Sequence, residues 1–207
     1  MNRNFLIAMT LALYLMGCSS KTTSIRSSGS TDTFLPIPKN SVNKSELIYD
    51  RQHSIWTLNN QTYSGYAVSY HQDGTLKEKF GVLNGRKQNL AIRWYPDGQY
   101  KSFTYYHKGK THGDKKAWAP DSSHTLLSHL KYVAGKLHGE QKKWYPSGEL
   151  FKKLNMNMGK EEGLQQGFRK NGVLFANYEA KNGRVFGLKK AKLCFGLEDE
   201  NIQLRGE

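Results

Sequence analysis

From Tyr63 onward apolar and polar positions alternate with a period of two, in short runs broken by glycine. Tyr66, Val68 and Tyr70 fall on one face of an extended segment, as do Leu90, Ile92 and Trp94, and Leu164, Gln166 and Phe168. The positions between them are mostly polar or small. Successive side chains of a strand project to opposite faces, so the pattern predicts strands with one apolar face. The return segments repeat it more weakly, as in Leu174, Ala176 and Tyr178. No apolar stretch carries the i, i+3, i+4, i+7 spacing of a paired helix, and fixed glycines would weaken one, so a helical solenoid is disfavoured.

The glycines set the period. A phrase of glycine, a basic residue, two free positions and glycine recurs at Gly109–Gly113, Gly135–Gly139, Gly159–Gly163 and Gly183–Gly187. A fifth copy begins at Gly85 and has Asn89 for its second glycine; Asn is the residue that best replaces Gly where φ is positive. The first positions step by 24, 26, 24 and 24 residues, and 24 residues before Gly85 stands Gln61, with Gly65 four further on. Nine residues beyond the second anchor comes another turn glycine: Gly74, Gly98, Gly148, Gly172 and Gly196. Asp73-Gly74, Pro96-Asp97-Gly98, Pro146-Ser147-Gly148 and Asn171-Gly172 suit hairpin turns with positive φ. Two strands and two turns fill such a period. The expected fold is all-β: one elongated antiparallel sheet of about five to six consecutive hairpin repeats, in which each unit buries a face against its neighbours. The third unit has Ser122 where the turn glycine belongs and is two residues longer, which implies a bulge or a longer loop. Leu47, Ile48, Tyr49, Ile55, Trp56 and Leu58 read as an opening hairpin that caps the array.

The N-terminus adds a different kind of signal. A short basic start, Asn2-Arg3-Asn4, precedes a mostly apolar run from Phe5 to Met16 and then Gly17-Cys18. The run is too short for a permanent membrane span and fits a cleaved export signal. Leu15-Met16-Gly17-Cys18 resembles the lipobox of bacterial lipoproteins, in which the cysteine is lipidated; the resemblance implies a lipid on Cys18, a membrane anchor in the cell envelope and, with Ser19 following in a diderm cell, the outer membrane. Cys194 would then be the remaining thiol, so no intramolecular disulfide is expected. The organisation expected is a signal peptide over 1–17, a flexible Ser/Thr-rich tether over 18–46, the repeat domain over 47–196 and a tail over 197–207. Lys plus Arg number 31 against 17 for Asp plus Glu, a net charge of +14 that favours anionic partners or surfaces.

With Gly139-Glu140-Gln141-Lys142-Lys143-Trp144-Tyr145-Pro146-Ser147-Gly148 and the closing phrase from Asn177 to Lys189, residues 60–196 resemble the MORN-repeat family, in the variant found in bacterial proteins labelled YwqK-like antitoxins. The resemblance implies consecutive β-hairpins in one sheet that serve mainly as an interaction surface; the antitoxin label implies neutralisation of a toxin partner.

The residues argue against an enzyme. His112 and His138 occupy one repeat position and read as turn residues, while His124 and His129, five apart on a strand, would point to opposite faces and not share a metal. Met156, Met158 and Cys194 have the donor chemistry of a soft-metal site, but Cys194 sits between Leu193 and Phe195, where an inert thiol is usual. No phosphate loop or Ser-His-acid set stands outside the repeat. No cofactor or metal is expected. Tyr70, Trp94, Trp118, Trp144 and Phe168 stand five residues after each second anchor and predict an aromatic ladder that stabilises the array. On the face opposite that ladder, Arg93, Tyr95, Lys143 and Tyr145 form the candidate binding strip. The expected function is a membrane-anchored, non-enzymatic scaffold for a protein or an anionic envelope component; export makes nucleic acid an unexpected partner. An antitoxin or immunity protein and an accessory factor for metal or redox-protein maturation are the alternatives.

Overall fold

The computed structural model describes residues 35–188, built of strands with a single 3-10 turn, Lys44–Glu46. A strap carries β1 (Ser41–Asn43), and a small three-stranded sheet follows: β2 (Ile48–Asp50), β3 (Ile55–Leu58) and β4 (Gln61–Thr62). The array then runs through β5 (Gly65–Tyr70), β6 (Leu76–Leu83), β7 (Arg86–Trp94), β8 (Tyr100–His107), β9 (Lys110–Trp118) and β10 (Leu126–Val133). It continues with the two-residue β11 (Lys136–Leu137), then β12 (Gly139–Trp144), β13 (Leu150–Asn157), β14 (Lys160–Phe168), β15 (Leu174–Lys181) and β16 (Arg184–Leu188). From β5 onward the strands lie in chain order in one antiparallel sheet of consecutive hairpins, with β11 paired to β10. Two features depart from a single antiparallel sheet. The strap strand β1 adds to β5 in parallel, and the opening hairpin forms its own sheet. The folded part therefore begins before Leu47, inside the stretch expected to be tether, because Asn40 and Val42 tie the strap to the array through Tyr66 and the first core cluster.

The turns alternate between two kinds. Short turns pair a non-glycine residue at φ near +50° with the first anchor glycine, as in Asn84-Gly85, Lys108-Gly109, Ala134-Gly135, Met158-Gly159 and Asn182-Gly183. Positive φ at both positions is the two-residue geometry whose twist matches that of the flanking strands. The first hairpin uses Asn59-Asn60, both at positive φ, so the anchor there is Asn60 and not Gln61. The longer turns are closed by an amide hydrogen bond from Gly74, Gly98, Gly148 or Gly172 to the carbonyl three residues earlier. In the third unit the lengthened loop gives that role to His124, at φ 49°, whose N–H donates to the Asp121 carbonyl.

The second anchor shapes the strand. Leu154 pairs with Gln165 and Met156 with Glu161, so Asn155 alone faces three residues, Glu162, Gly163 and Leu164. The same mismatch occurs opposite Phe80 and Tyr105, and at the corresponding place in β10 Leu130 and Lys131 face the four residues from His138 to Gln141. Asn155 has no residue paired with it on β14, and buried backbone groups without hydrogen-bond partners are costly. In two units a glutamine two residues past the anchor supplies them. Gln165 Oε1 accepts from the Asn155 N–H at 3.2 Å, and its Nε2 donates to the Asn155 carbonyl at 2.7 Å. Gln141 treats Lys131 similarly, accepting from its N–H at 2.8 Å and donating to its carbonyl at 3.2 Å, a carbonyl that also accepts from the His138 N–H at 2.9 Å.

In the outgoing strands burial falls on the face opposite the one the alternation suggests, whereas in β15 the expected Ala176 and Tyr178 are the buried residues. Ala67 and Gln165 are fully buried, Phe80 and Gln141 nearly so, and Ala91, Thr104, Ala176 and Tyr178 share their face. Tyr70 of the aromatic series is 51% exposed, and Trp94, Trp118, Trp144 and Phe168 are half-buried. The buried face accepts small and amide side chains because its task is to cover the insertions. The aromatic series is not one continuous rib: Tyr100 bridges Trp94 and Trp118, and Trp118 stacks on His124.

Replacing Gln165 with Leu strands a buried N–H and carbonyl at Asn155, and thermal unfolding should register a loss of about 2 kcal/mol. The neighbouring Gln166→Leu, on the other face, should change little; equal effects would remove the special role of Gln165.

Candidate functional site

The face that holds the core also holds a cross-strand row of aligned residues: Ser69, Glu78, Arg93, Ser102, Ala117 and Ser128, continuing through Lys143 and Lys152. At its β5 end, where the strap crosses, the row opens into a cleft of about 660 Å³ lined by Lys44, Lys77, Glu78, Arg93, Tyr95 and Lys101 among others. Lys44 reaches this position because the 3-10 turn that bears it is locked by a capping box between Asn43 and Glu46. Lys77 and Lys101 occupy the extra position of an irregular pairing next to each longer turn, at Ser69/Tyr70 and Arg93/Trp94 respectively.

Glu78 is the fixed point of the cleft. Its side chain is 7% exposed and accepts from Lys44 Nζ at 2.6 Å and from Arg93 Nε at 3.0 Å. Burial pushes its carboxyl pKa up, but the hydrogen bonds and charges of Lys44 and Arg93 outweigh that and hold it below the ordinary value. A third cation stands behind. Lys87 Nζ lies 4.1 Å from the Phe80 ring centre, 5.2 Å from Tyr106 and 6.0 Å from Trp56, so three ring faces surround the ammonium. Burial pushes the Lys87 pKa down, with Glu78 opposing. Lys44 and Arg93 thus share one carboxylate, whose charge Lys87 feels through space. Lys77 and Lys101 have no carboxylate within ion-pair distance among the described residues, Lys101 lying instead over the Tyr95 ring at 5.3 Å. The cleft has the charge to receive an anion.

The four residues of the expected strip are not one group. Arg93 and Tyr95 line the cleft, while Lys143 and Tyr145 stand four strand spacings away, roughly 19 Å. The tyrosines also fasten one repeat to the next: Tyr95 Oη donates to the Trp118 carbonyl at 2.9 Å, and Tyr145 Oη to the Phe168 carbonyl at 3.0 Å. His71, the equivalent residue of the first long turn, meets the Trp94 carbonyl at 3.2 Å. Lys44, Lys77, Glu78 and Lys101 escaped the reading of the sequence. Lys77 and Lys101 are 24 residues apart, and extending the period to the return strands would have paired them.

The other candidate chemistry separates. His129 meets Asp114 at 2.8 Å, and His124 meets the Tyr100 carbonyl at 2.7 Å. Met158 occupies a short turn instead of a strand. Among the described residues no group of three or more His, Cys, Asp or Glu side chains could hold a metal ion. Cys18, Cys194 and Gly196 lie outside the described residues. No protein-family model matches the chain, and no curated protein matches it at a significant level.

Because the Glu78 pKa is depressed in the folded state, its ion pairs stabilise the fold above the ordinary carboxylate range and that contribution is lost as pH falls through the depressed value. The stability difference between the wild type and Glu78→Gln should therefore shrink on acidification from neutrality; a difference that is constant down to strong acid would contradict the pairing. Tyr95→Phe and Tyr145→Phe should each lower stability by about 1 kcal/mol, read by thermal unfolding, as a lost inter-repeat hydrogen bond requires.

Proposed function

We propose that this chain is a non-enzymatic scaffold, held at a membrane by a lipid on Cys18, whose hairpin array binds a protein or an anionic component of the cell envelope. The cleft carries the reading. Four basic side chains converge on one face around a carboxylate that two of them already satisfy, which leaves Lys77 and Lys101 available to an anionic partner. The lipobox-like Leu15-Met16-Gly17-Cys18 supplies the anchor, and the outer membrane is the destination if the cell is diderm.

Crosslinking in intact cells tests it. A photoreactive group at Tyr95 should capture a defined partner, and the double charge reversal Lys77→Glu with Lys101→Glu should abolish capture while the protein stays folded. Capture unaffected by the reversal would remove the cleft from the interface. Cys18→Ser should move the protein from the membrane to the soluble fraction, and lipid labelling that persists in that variant would refute the anchor.

A further inference from the structure

We propose that the short-turn edge of the sheet is a docking track for an extended anionic polysaccharide bearing one acidic group per disaccharide, seated on Arg86, Lys110, Lys136 and Lys160. The inference rests on the reading of the array as a non-enzymatic scaffold but uses a surface separate from the cleft. The four residues form a column. Each follows a first anchor glycine, and each next glycine stacks over the preceding basic residue: a Cβ placed at Gly109 would lie 3.7 Å from the Arg86 Cβ, at Gly135 3.8 Å from Lys110, and at Gly159 3.9 Å from Lys136. Backbone bonds lock the stack, the N–H of Gly85, Gly109, Gly135 and Gly159 donating to the carbonyls of Tyr63, Lys87, Thr111 and Leu137. The strands that bear successive basic residues are two spacings apart in the sheet, about 10 Å. That is close to the length of an extended disaccharide.

The repeats themselves show that this charge is not a by-product of the turn. The residue before the anchor glycine varies freely, as Asn84, Lys108, Ala134, Met158 and Asn182, and so does the second residue after it, as Lys87, Thr111, Leu137, Glu161 and Val185. The first residue after it is basic in every copy: Arg86, Lys110, Lys136, Lys160 and Arg184. All five are exposed, and among the described residues none is in an ion pair. A row of like charges repels itself and adds nothing to folding. The acidic turn residues Asp73, Asp97, Asp121 and Glu149 all lie on the opposite, long-turn edge, where the three aspartates bind their own turns. The track ends at Lys160, which itself lines a cleft of about 580 Å³ with Glu161, Glu162 and Arg184, and nothing stacks within 4 Å of Gly183 beyond it.

The test is calorimetric titration of the full chain with a hyaluronan oligosaccharide, which carries one carboxylate per disaccharide. Converting Arg86, Lys110, Lys136 and Lys160 together to Gln should weaken binding by at least about tenfold, the sum of several exposed ion pairs. Removing the same charge elsewhere, at Lys79, Lys116, Lys152 and Lys170, should weaken it by less than about twofold. Equal weakening by both sets, tighter binding to a single-stranded oligonucleotide or to anionic phospholipid vesicles, or no binding by the wild type would each overturn the proposal. Loss of polysaccharide binding in the Lys77→Glu, Lys101→Glu variant would place the polymer in the cleft and overturn it as well. Intact polysaccharide binding alongside a failed cellular crosslink would instead count against the cleft reading alone.

Discussion

The backbone mismatch at the second anchor is the constraint on which the rest of this structure depends. Opposite Phe80, Tyr105 and Asn155 three residues face one, and at Asn155 the N–H and the carbonyl are both met by a side chain instead of the facing backbone. A buried polar group of this kind must be satisfied or the fold loses stability. At Lys131 and Asn155 a glutamine side chain answers both groups at once. Positive φ at Gly113, Gly139 and Gly163, and at Asn89, lets the chain make the insertion without the steric cost of an ordinary side chain.

Everything on the two faces follows from where those insertions are covered. The covering face takes alanine, threonine and glutamine with Phe80 and Tyr178, and becomes the buried one, while Tyr70 and the tryptophans Trp94, Trp118 and Trp144 stay half-buried or exposed on the other side. Near the strap the same face is closed by Leu47, Phe80 and Val82 with Val42 and Trp56 against them. Immediately beside that cluster the row turns polar, and Glu78 gathers Lys44 and Arg93 into the cleft. The cleft is thus the border between a covered and an uncovered part of one surface. The same insertions bring each short turn back over the preceding repeat, which aligns the residues after the first anchors into a column.

The glycine spacing and the period-two alternation were enough to read the hairpin architecture, because positive φ and strand pleat leave direct marks on residue choice. The side that would be buried was not legible. Alternation shows which residues share a face, but Leu90, Ile92 and Trp94 look more buriable than Ala91, and the insertion explains why the small side chain goes inside. The anchor of the first hairpin was missed for a related reason: Asn59-Asn60 performs the turn with no glycine, and one extra residue separates it from Gly65. Arg93 and Tyr95 were found through their exposed chemistry, whereas Glu78 and Lys44 come together from positions 34 residues apart across a strap whose course no local pattern encodes. The residues proposed for lipid attachment were readable as a motif without any structure.

Amide hydrogen exchange on the native protein tests the central claim most directly. If glutamine side chains complete the backbone opposite the insertions and the short turns stack, the amides of Lys131, Asn155, Gly109, Gly135 and Gly159 should be as strongly protected as those of the central strands, although none of them has a partner in its own strand ladder. Exchange of these amides at the rate of open loops, beside protected strands, would show that the insertions are unsealed and that the arrangement of both binding surfaces derived from them is wrong.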